Sequence, residues 1–353
     1  MRKNIYASLS IIAITIVLFS NCDLHQTKQI DIKYVNSEPL WQDKSIVMEE
    51  IDRIGTDDLR NDKYIFGLIS SIETDRKGYL YVLDLGLLRI TIYKPDGALF
   101  DVIELKQGNG PGEVQQPSAL AVGHDGLLYI NDMNRYRIII LDHMGNYIHE
   151  FSTKFRISQL EVDKTGNIYV AGFLFGYQGP IIHKYNAHHE FEYAFCKRYK
   201  NLDPLFEWTG NSGRIAVDNV DNKVYYSFEY PYEIREFNSS GDFLNRFSRK
   251  LNCYRSPIII NANTRSLESR AATKGLYKMS DGKLLHIYMC LEKNKANYYI
   301  DLFDKEQHYL KTVHLNKFGI DSFRMSCIDN KDNLYLDSTN PYPQIVKYKL
   351  EIK

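Results

Sequence analysis

Residues 118–151 read SALAVGHDGLLYINDMNRYRIIILDHMGNYIHEF. His124-Asp125-Gly126 and Asp142-His-Met-Gly145 are tight-turn signals, because Gly supplies the positive φ that such turns demand. The runs around them are rich in Leu, Ile and Tyr, the residue types of strands. The stretch therefore predicts four short antiparallel strands. A sheet of that kind has two faces to cover and cannot cover both alone.

The same pattern returns at 70–105, 158–195, 213–247, 275–313 and 324–350. Asp75-Arg-Lys-Gly78, Asp163-Lys-Thr-Gly166 and Asp281-Gly282 repeat the first turn. Pro95-Asp96-Gly97 and Asn238-Ser-Ser-Gly241 repeat the second. Equivalent residues Tyr81, Tyr129, Tyr169, Tyr225, Leu285 and Tyr335 are 48, 40, 56, 60 and 50 residues apart. These spacings lie near or above the roughly 40–50 residues of common blade repeats. Six sheets set radially cover one another. The expected fold is all-β, a six-bladed β-propeller with four-stranded antiparallel blades over 45–353. The sixth copy stops one strand short, and Ser45-Ile-Val-Met-Glu-Glu-Ile-Asp-Arg-Ile54 is expected to complete it. That pairing would close the ring and remove open edges. A short helix is expected within a loop, from Ser266 to Lys274.

The composition agrees: 44% apolar and 25% charged residues exclude a disordered chain. Lys+Arg and Asp+Glu are 44 each, so no basic field favours nucleic acid.

The chain begins with Arg2 and Lys3, followed by the apolar run Ile5 to Phe19 and then Ser20-Asn21-Cys22. This order reads as an export signal over 1–21. A cysteine closing such a run resembles a bacterial lipoprotein signal, with Cys22 as the lipidated residue. Residues 22–44 would then be a tether to the membrane, and the protein would sit in the cell envelope. An uncleaved anchor and a soluble secreted chain are the alternatives. Cys196, Cys253, Cys290 and Cys327 remain. Disulfides are permitted outside the cytoplasm, and buried free thiols remain equally open.

Tyr129-Ile-Asn-Asp132 with Arg137-Ile-Ile-Ile-Leu141, and Tyr81-Val-Leu-Asp84 with Arg89-Ile-Thr-Ile-Tyr93, resemble NHL repeats. Gln107-Gly-Asn-Gly-Pro-Gly-Glu-Val-Gln-Gln-Pro117 joins the two. With the lipoprotein-like start, the chain looks like the six-bladed propeller lipoproteins of Bacteroidetes. Some six-bladed propellers are metal-dependent lactonases or lyases with ligands on their innermost strands. Here those strands offer Ser70, Ser71, Glu73, Ser118, Ser158, Gln159, Glu161, Lys274 and Ser326. The set is polar but poor in carboxylate and lacks histidine, so neither a metal nor another cofactor is expected.

In each copy the strand 1–2 and 3–4 turns share one face and are short. The long loops, at 105–117, 172–180, 198–212, 249–274, 292–297 and 338–343, collect on the other. Sites concentrate in loops borne by a rigid scaffold. The candidate ligand-binding residues are Arg135, Tyr136, Tyr177, Trp208, Tyr232, Tyr254, Arg255 and Tyr342. Aromatics and arginines of this kind suit a glycan, a peptide or an envelope protein. A monomeric binding or scaffold module is the expectation. A propeller enzyme acting at the channel mouth is the alternative. Asp84/Arg89 and Asp132/Arg137 read as structural pairs bracketing hairpins. His188-His189 reads as part of a solvated turn. Gly108-Asn-Gly-Pro-Gly112 lacks the Lys-Ser/Thr ending of a phosphate loop.

Overall fold

The computed structural model describes residues 33–173, 179–199, 210–254, 258–261, 266–268 and 271–353. The signal, Cys22 and the candidates Tyr177, Trp208 and Arg255 lie outside the described residues. Among these residues, no helix is long and apolar enough to cross a membrane.

Six blades of four antiparallel strands form a ring. Blade 1 comprises Ile69–Thr74, Leu80–Asp84, Arg89–Tyr93 and Leu99–Glu104. Blade 2 comprises Pro117–Val122, Leu128–Asp132, Arg137–Leu141 and Tyr147–Ser152. Blade 3 runs from Arg156–Val162 to Phe191–Phe195, and blade 4 from Gly213–Asp218 to Phe243–Ser248. Blade 5 comprises Ala271–Lys278, Leu284–Glu292, Lys295–Phe303 and Tyr309–His314. Blade 6 takes three strands from Ser326–Ile328, Leu334–Ser338 and Gln344–Ile352. Its fourth is Ile46–Ile54, antiparallel to Gln344–Ile352 in the register Ile46↔Ile352 to Ile54↔Ile345. The seam forms where the unfinished sixth copy called for it.

Residues 258–261 and 266–268 form a small separate hairpin, and Ala271–Lys278 is the inner strand of blade 5. The helix expected from Ser266 to Lys274 is therefore corrected. Ladder bonds to Leu284–Glu292 outweigh the helical preference of a short Ala-containing run.

The 1–2 turns show how local sequence sets the strands. Their left-handed position holds Gly78, Gly126, Gly166 and Gly282, but Asn222 in blade 4 and Asp332 in blade 6. Asn and Asp tolerate this region best after Gly. At Asp163-Lys-Thr-Gly166 the carboxylate accepts the backbone N–H of Thr165 at 2.8 Å and of Asn167 at 3.0 Å. Partial burial acts to raise its pKa, but the side-chain bonds from Thr165 and Asn167, with these backbone bonds, hold it below the usual carboxylate range.

Among the described residues six apolar clusters occur, one at each blade interface. Strands two and three of blades 1 and 2 are buried at every residue, whereas the outer strands are mostly exposed. Burial of both faces is the signature of sheets sandwiched between neighbours. The Asp/Arg pairs prove structural. Asp84 accepts the N–H groups of Gly67, Leu68 and Leu87 at 2.7, 2.9 and 3.0 Å. Arg89 donates to the carbonyls of Asp62 and Ile65. Asp132 and Arg137 form an ion pair at 3.6 Å, both buried.

The chain reaches its seam strand along the rim. Lys33–Tyr34 pairs in parallel with Phe247–Ser248 on the outer edge of blade 4. Val35 is buried in the cluster between blades 4 and 5. Leu40 and Trp41 then donate backbone N–H groups to Tyr309 and Leu310 of blade 5. Cys253 and Cys290 are disulfide-bonded, tying the loop after blade 4 to the second strand of blade 5. Cys196 and Cys327 are buried free thiols.

Candidate functional site

The inner strands line the channel, and their irregularities build its mouth. Four of them carry a one-residue bulge near the start: between Ile69 and Ser71, Pro117 and Ala119, Ile157 and Gln159, and Thr273 and Gly275. A bulge leaves one residue out of the ladder and re-aims its side chain. The bulged residues are Ser70, Ser118, Ser158 and Lys274. All four line one cavity of about 120 Å³, together with Glu73, Gln159, Arg214, Tyr277, Arg324 and Ser326. Being near the strand starts, the bulges lie toward the face of the inter-blade loops.

Three cations gather here. Arg214 donates to the carbonyl of Lys274 at 3.3 Å. Burial lowers the Lys274 pKa; Arg214 adds to the effect and Glu229 offsets it. Burial raises the Glu229 pKa, and Arg214 and Lys274 pull it back. Arg324 is exposed and lies 3.5 Å from the buried Asp337. Arg214, Lys274 and Arg324 thus stand near Glu73, Glu229 and Asp337, and hydroxyls lie among them.

One level farther along the inner strands, the residues facing Tyr81, Tyr129, Tyr169, Tyr225, Leu285 and Tyr335 are Glu73, Ala121, Glu161, Ala216, Tyr277 and Cys327. Two carboxyls thus share the channel. Burial raises Glu73 well above the usual range, and the charge of Glu161 adds to it. Burial also raises Glu161, to about 7, against a hydrogen bond from Gln159 Nε2 at 3.0 Å. Like charges this near one another in a narrow channel cannot both ionise cheaply. Tyr277 closes this level, its hydroxyl donating to the Ser326 carbonyl at 2.6 Å.

Of the described candidates, Tyr232 and Tyr254 meet, and Arg135, Tyr136 and Tyr342 lie in other blades. Arg135 is bound to Asn109 of the 107–114 loop. Tyr136 takes a left-handed turn, and its carbonyl accepts the Thr153 N–H. Tyr232 and Tyr254 touch edge to face at 5.1 Å. Tyr232 is 2% exposed and donates to Asp301 at 2.6 Å, so it packs blade 4 on blade 5. Tyr342 lies in the 2–3 turn of blade 6, half-buried. Arg214, Glu229, Tyr277 and Arg324 were absent from the sequence reading. The bulges themselves do have a sequence signal, since Ile69-Ser-Ser-Ile72 and Ile157-Ser-Gln-Leu160 place two polar residues between apolar ones. That is the mark of a bulge in an alternating strand.

Among the described residues one trio, Asp304, Glu306 and His308, lies within reach of a common metal ion. It sits in the 3–4 turn of blade 5, and His308 Nδ1 is hydrogen-bonded to Asp304 at 2.9 Å. His189 stacks on His149 at 5.3 Å.

No family model and no curated protein matches the sequence. Solved structures do match. A DUF4221 family member from Bacteroides vulgatus superposes with a TM-score of 0.64 at 10% identity, covering 87% of this chain and 98% of that one. A Bacteroides fragilis protein described as exported gives 0.57 at 13%, covering 91% and 99%. A gluconolactonase from Xanthomonas campestris gives 0.50 at 14%, covering 80% and 87%. At such identities the likeness concerns the propeller fold. Enzymes and proteins of other kinds share it.

Proposed function

We propose that this chain is an exported, lipid-anchored binding module whose channel mouth holds a small anionic, hydroxyl-rich ligand such as an acidic glycan. One observation carries the reading: bulged Ser70, Ser118, Ser158 and Lys274 converge with Arg214 and Arg324 on a single cavity. Cations and hydroxyls suit carboxylates and sugar oxygens. Export rests on the N-terminal sequence and on likeness to the Bacteroides fragilis protein described as exported, and the lipid at Cys22 rests on the sequence alone. The test is calorimetric titration with uronic-acid oligosaccharides beside their neutral counterparts. The acidic series binds, and Arg324→Gln weakens it by about tenfold, the scale of one lost charged contact. Equal binding of both series would overturn the reading.

A second reading has its own support. Glu73 and Glu161, both raised by burial and near enough for the charge of Glu161 to raise Glu73 further, have the makings of a carboxyl pair that shares a proton. Lactone hydrolysis that is lost in Glu161→Gln would favour it.

A further inference from the structure

A cleft of about 460 Å³ opens on the rim between blades 2 and 3, lined by Phe151, Thr153, Phe155, His183, Tyr185 and Phe191. It has a filled counterpart in the same molecule. Gly145-Asn-Tyr-Ile-His-Glu-Phe-Ser-Thr-Lys-Phe155 in blade 2 aligns residue for residue with Gly241-Asp-Phe-Leu-Asn-Arg-Phe-Ser-Arg-Lys-Leu251 in blade 4. The Phe247-Ser248 edge of blade 4 carries the parallel strand Lys33–Tyr34. Val35 N–H then bonds the Ser248 carbonyl at 3.1 Å, and the Val35 side chain enters the core between blades 4 and 5. Asn36 finishes the contact. Its carboxamide accepts the Tyr309 N–H at 3.0 Å and donates to the Tyr309 carbonyl at 2.9 Å.

The apolar and edge elements of the host recur in the open cleft. Phe151-Ser152 matches Phe247-Ser248, Tyr185 matches Phe303, and Phe191 matches Tyr309. Among the described residues no strand pairs with the outer edge of Tyr147–Ser152. The outer strands of blades 1, 3 and 5 lack the Phe-Ser pair at this register. The differences explain why the cleft is roomy. Arg249 fills the counterpart by pairing with Asp301 at 2.6 Å and lying over the Tyr309 ring at 3.6 Å. Thr153 and His183 stand in those two places. The vacated space is walled by aromatic rings, with Phe151 and Tyr185 centroids 4.8 Å apart and Phe155 and His183 4.3 Å apart.

We infer that the cleft between blades 2 and 3 binds an extended peptide segment of a partner protein. The segment adds in parallel to Tyr147–Ser152 and inserts an aromatic side chain where the counterpart takes Val35. An Asn following that aromatic would meet the Phe191 backbone as Asn36 meets Tyr309. Main-chain bonds at the edge supply affinity, and the pocket supplies selection. Aromatic side chains fit because ring-lined pockets favour offset and edge-on rings.

The probe is a fluorescein-labelled synthetic peptide, residues 32–39 of this chain carrying Val35→Phe, titrated against the full chain by anisotropy. Saturable binding is expected, at least about tenfold tighter than for the unsubstituted peptide. Phe191→Glu, at a 55% exposed position, should abolish it without changing thermal stability. A photo-crosslinker at peptide position 35 should label residues 147–155 or 183–191. Three results would each overturn the proposal: absence of saturable binding, crosslinks confined to the channel or to blades 4 and 5, and indifference to Phe191→Glu. Concentration-dependent dimerisation abolished by Phe191→Glu would assign the cleft to a second copy of this chain and overturn it too. Acidic-glycan titration of the Phe191→Glu chain reads the channel separately.

Discussion

Glu73 of blade 1 and Glu161 of blade 3 stand at one level of the channel, with only the small Ala121 of blade 2 between them around the ring. Both hold their protons more tightly folded than unfolded. From the usual 4.5 up to about 7, the folded chain binds more protons, so their contribution to stability falls as pH rises. His183 and His286 are held down to about 4 and about 3 by burial. They act in the opposite sense, because the unfolded chain takes up their protons first as pH drops below 6.5. The wild-type profile is the balance, and Glu161→Gln isolates one side. Denaturant titration should show that variant gaining stability over wild type at about pH 8 and little at about pH 4. The same difference at both pH values would mean that Glu161 titrates normally.

Ring closure predicts a contrast within one strand. Met48 is buried in the seam, whereas Ile51 is 45% exposed beside the bulge at Glu50 and Asp52. Met48→Asp should cost at least about 3 kcal/mol by forcing a carboxylate into an apolar cluster. Ile51→Asp should stay within about 0.5 kcal/mol. Urea unfolding of the two variants checks this. Equal costs would show that the strand does not bury its inward face.

Asp84 satisfies three backbone donors of the segment entering blade 1. Asp84→Ala is expected to cost about 3 kcal/mol, because three backbone N–H groups lose their shared acceptor and a buried site is left empty. Asp142, whose carboxylate caps an exposed turn through Met144 and Asn146, should cost about 1 kcal/mol when changed to Ala. Thermal denaturation ranks the pair, and the reverse order would refute the assignment.

The Cys253–Cys290 bond closes a loop with a sequence separation of 37. By loop-closure entropy, its loss costs up to about 4 kcal/mol. Reductant, or replacement of both cysteines by Ser, should lower the melting temperature by several degrees. No change on reduction would show that the pairing contributes nothing. Cys196 should react with a thiol reagent only after denaturant is added, since it is buried and its pKa is pushed up to about 12.

Blade number and the seam were legible because turn residues and apolar alternation are local. Asp163-Lys-Thr-Gly166 announces its own hairpin, and the missing strand of the sixth copy left a gap that the spare apolar run at Ile46–Ile54 was suited to fill. The channel was legible in part. Ser70, Ser118, Ser158 and Glu73 were read from their strands, but Arg214 and Arg324 escaped because no turn or motif marks them. Tyr232 shows the opposite failure: an aromatic beside a long loop looked available, yet its neighbours are set by blade 5, far along the chain. The Ser266–Lys274 segment fails for a related reason, since its ladder partner lies beyond another turn.

The seam has a consequence for biogenesis. Ser45 and Lys353 exchange backbone hydrogen bonds in both directions, so the sixth sheet draws on both sides of the ring's join. A chain emerging N-terminus first must keep Ile46–Ile54 waiting until its partner strand, the last one, has appeared. Until then the Ile46–Ile54 ribbon presents an open edge to any strand that can pair with it.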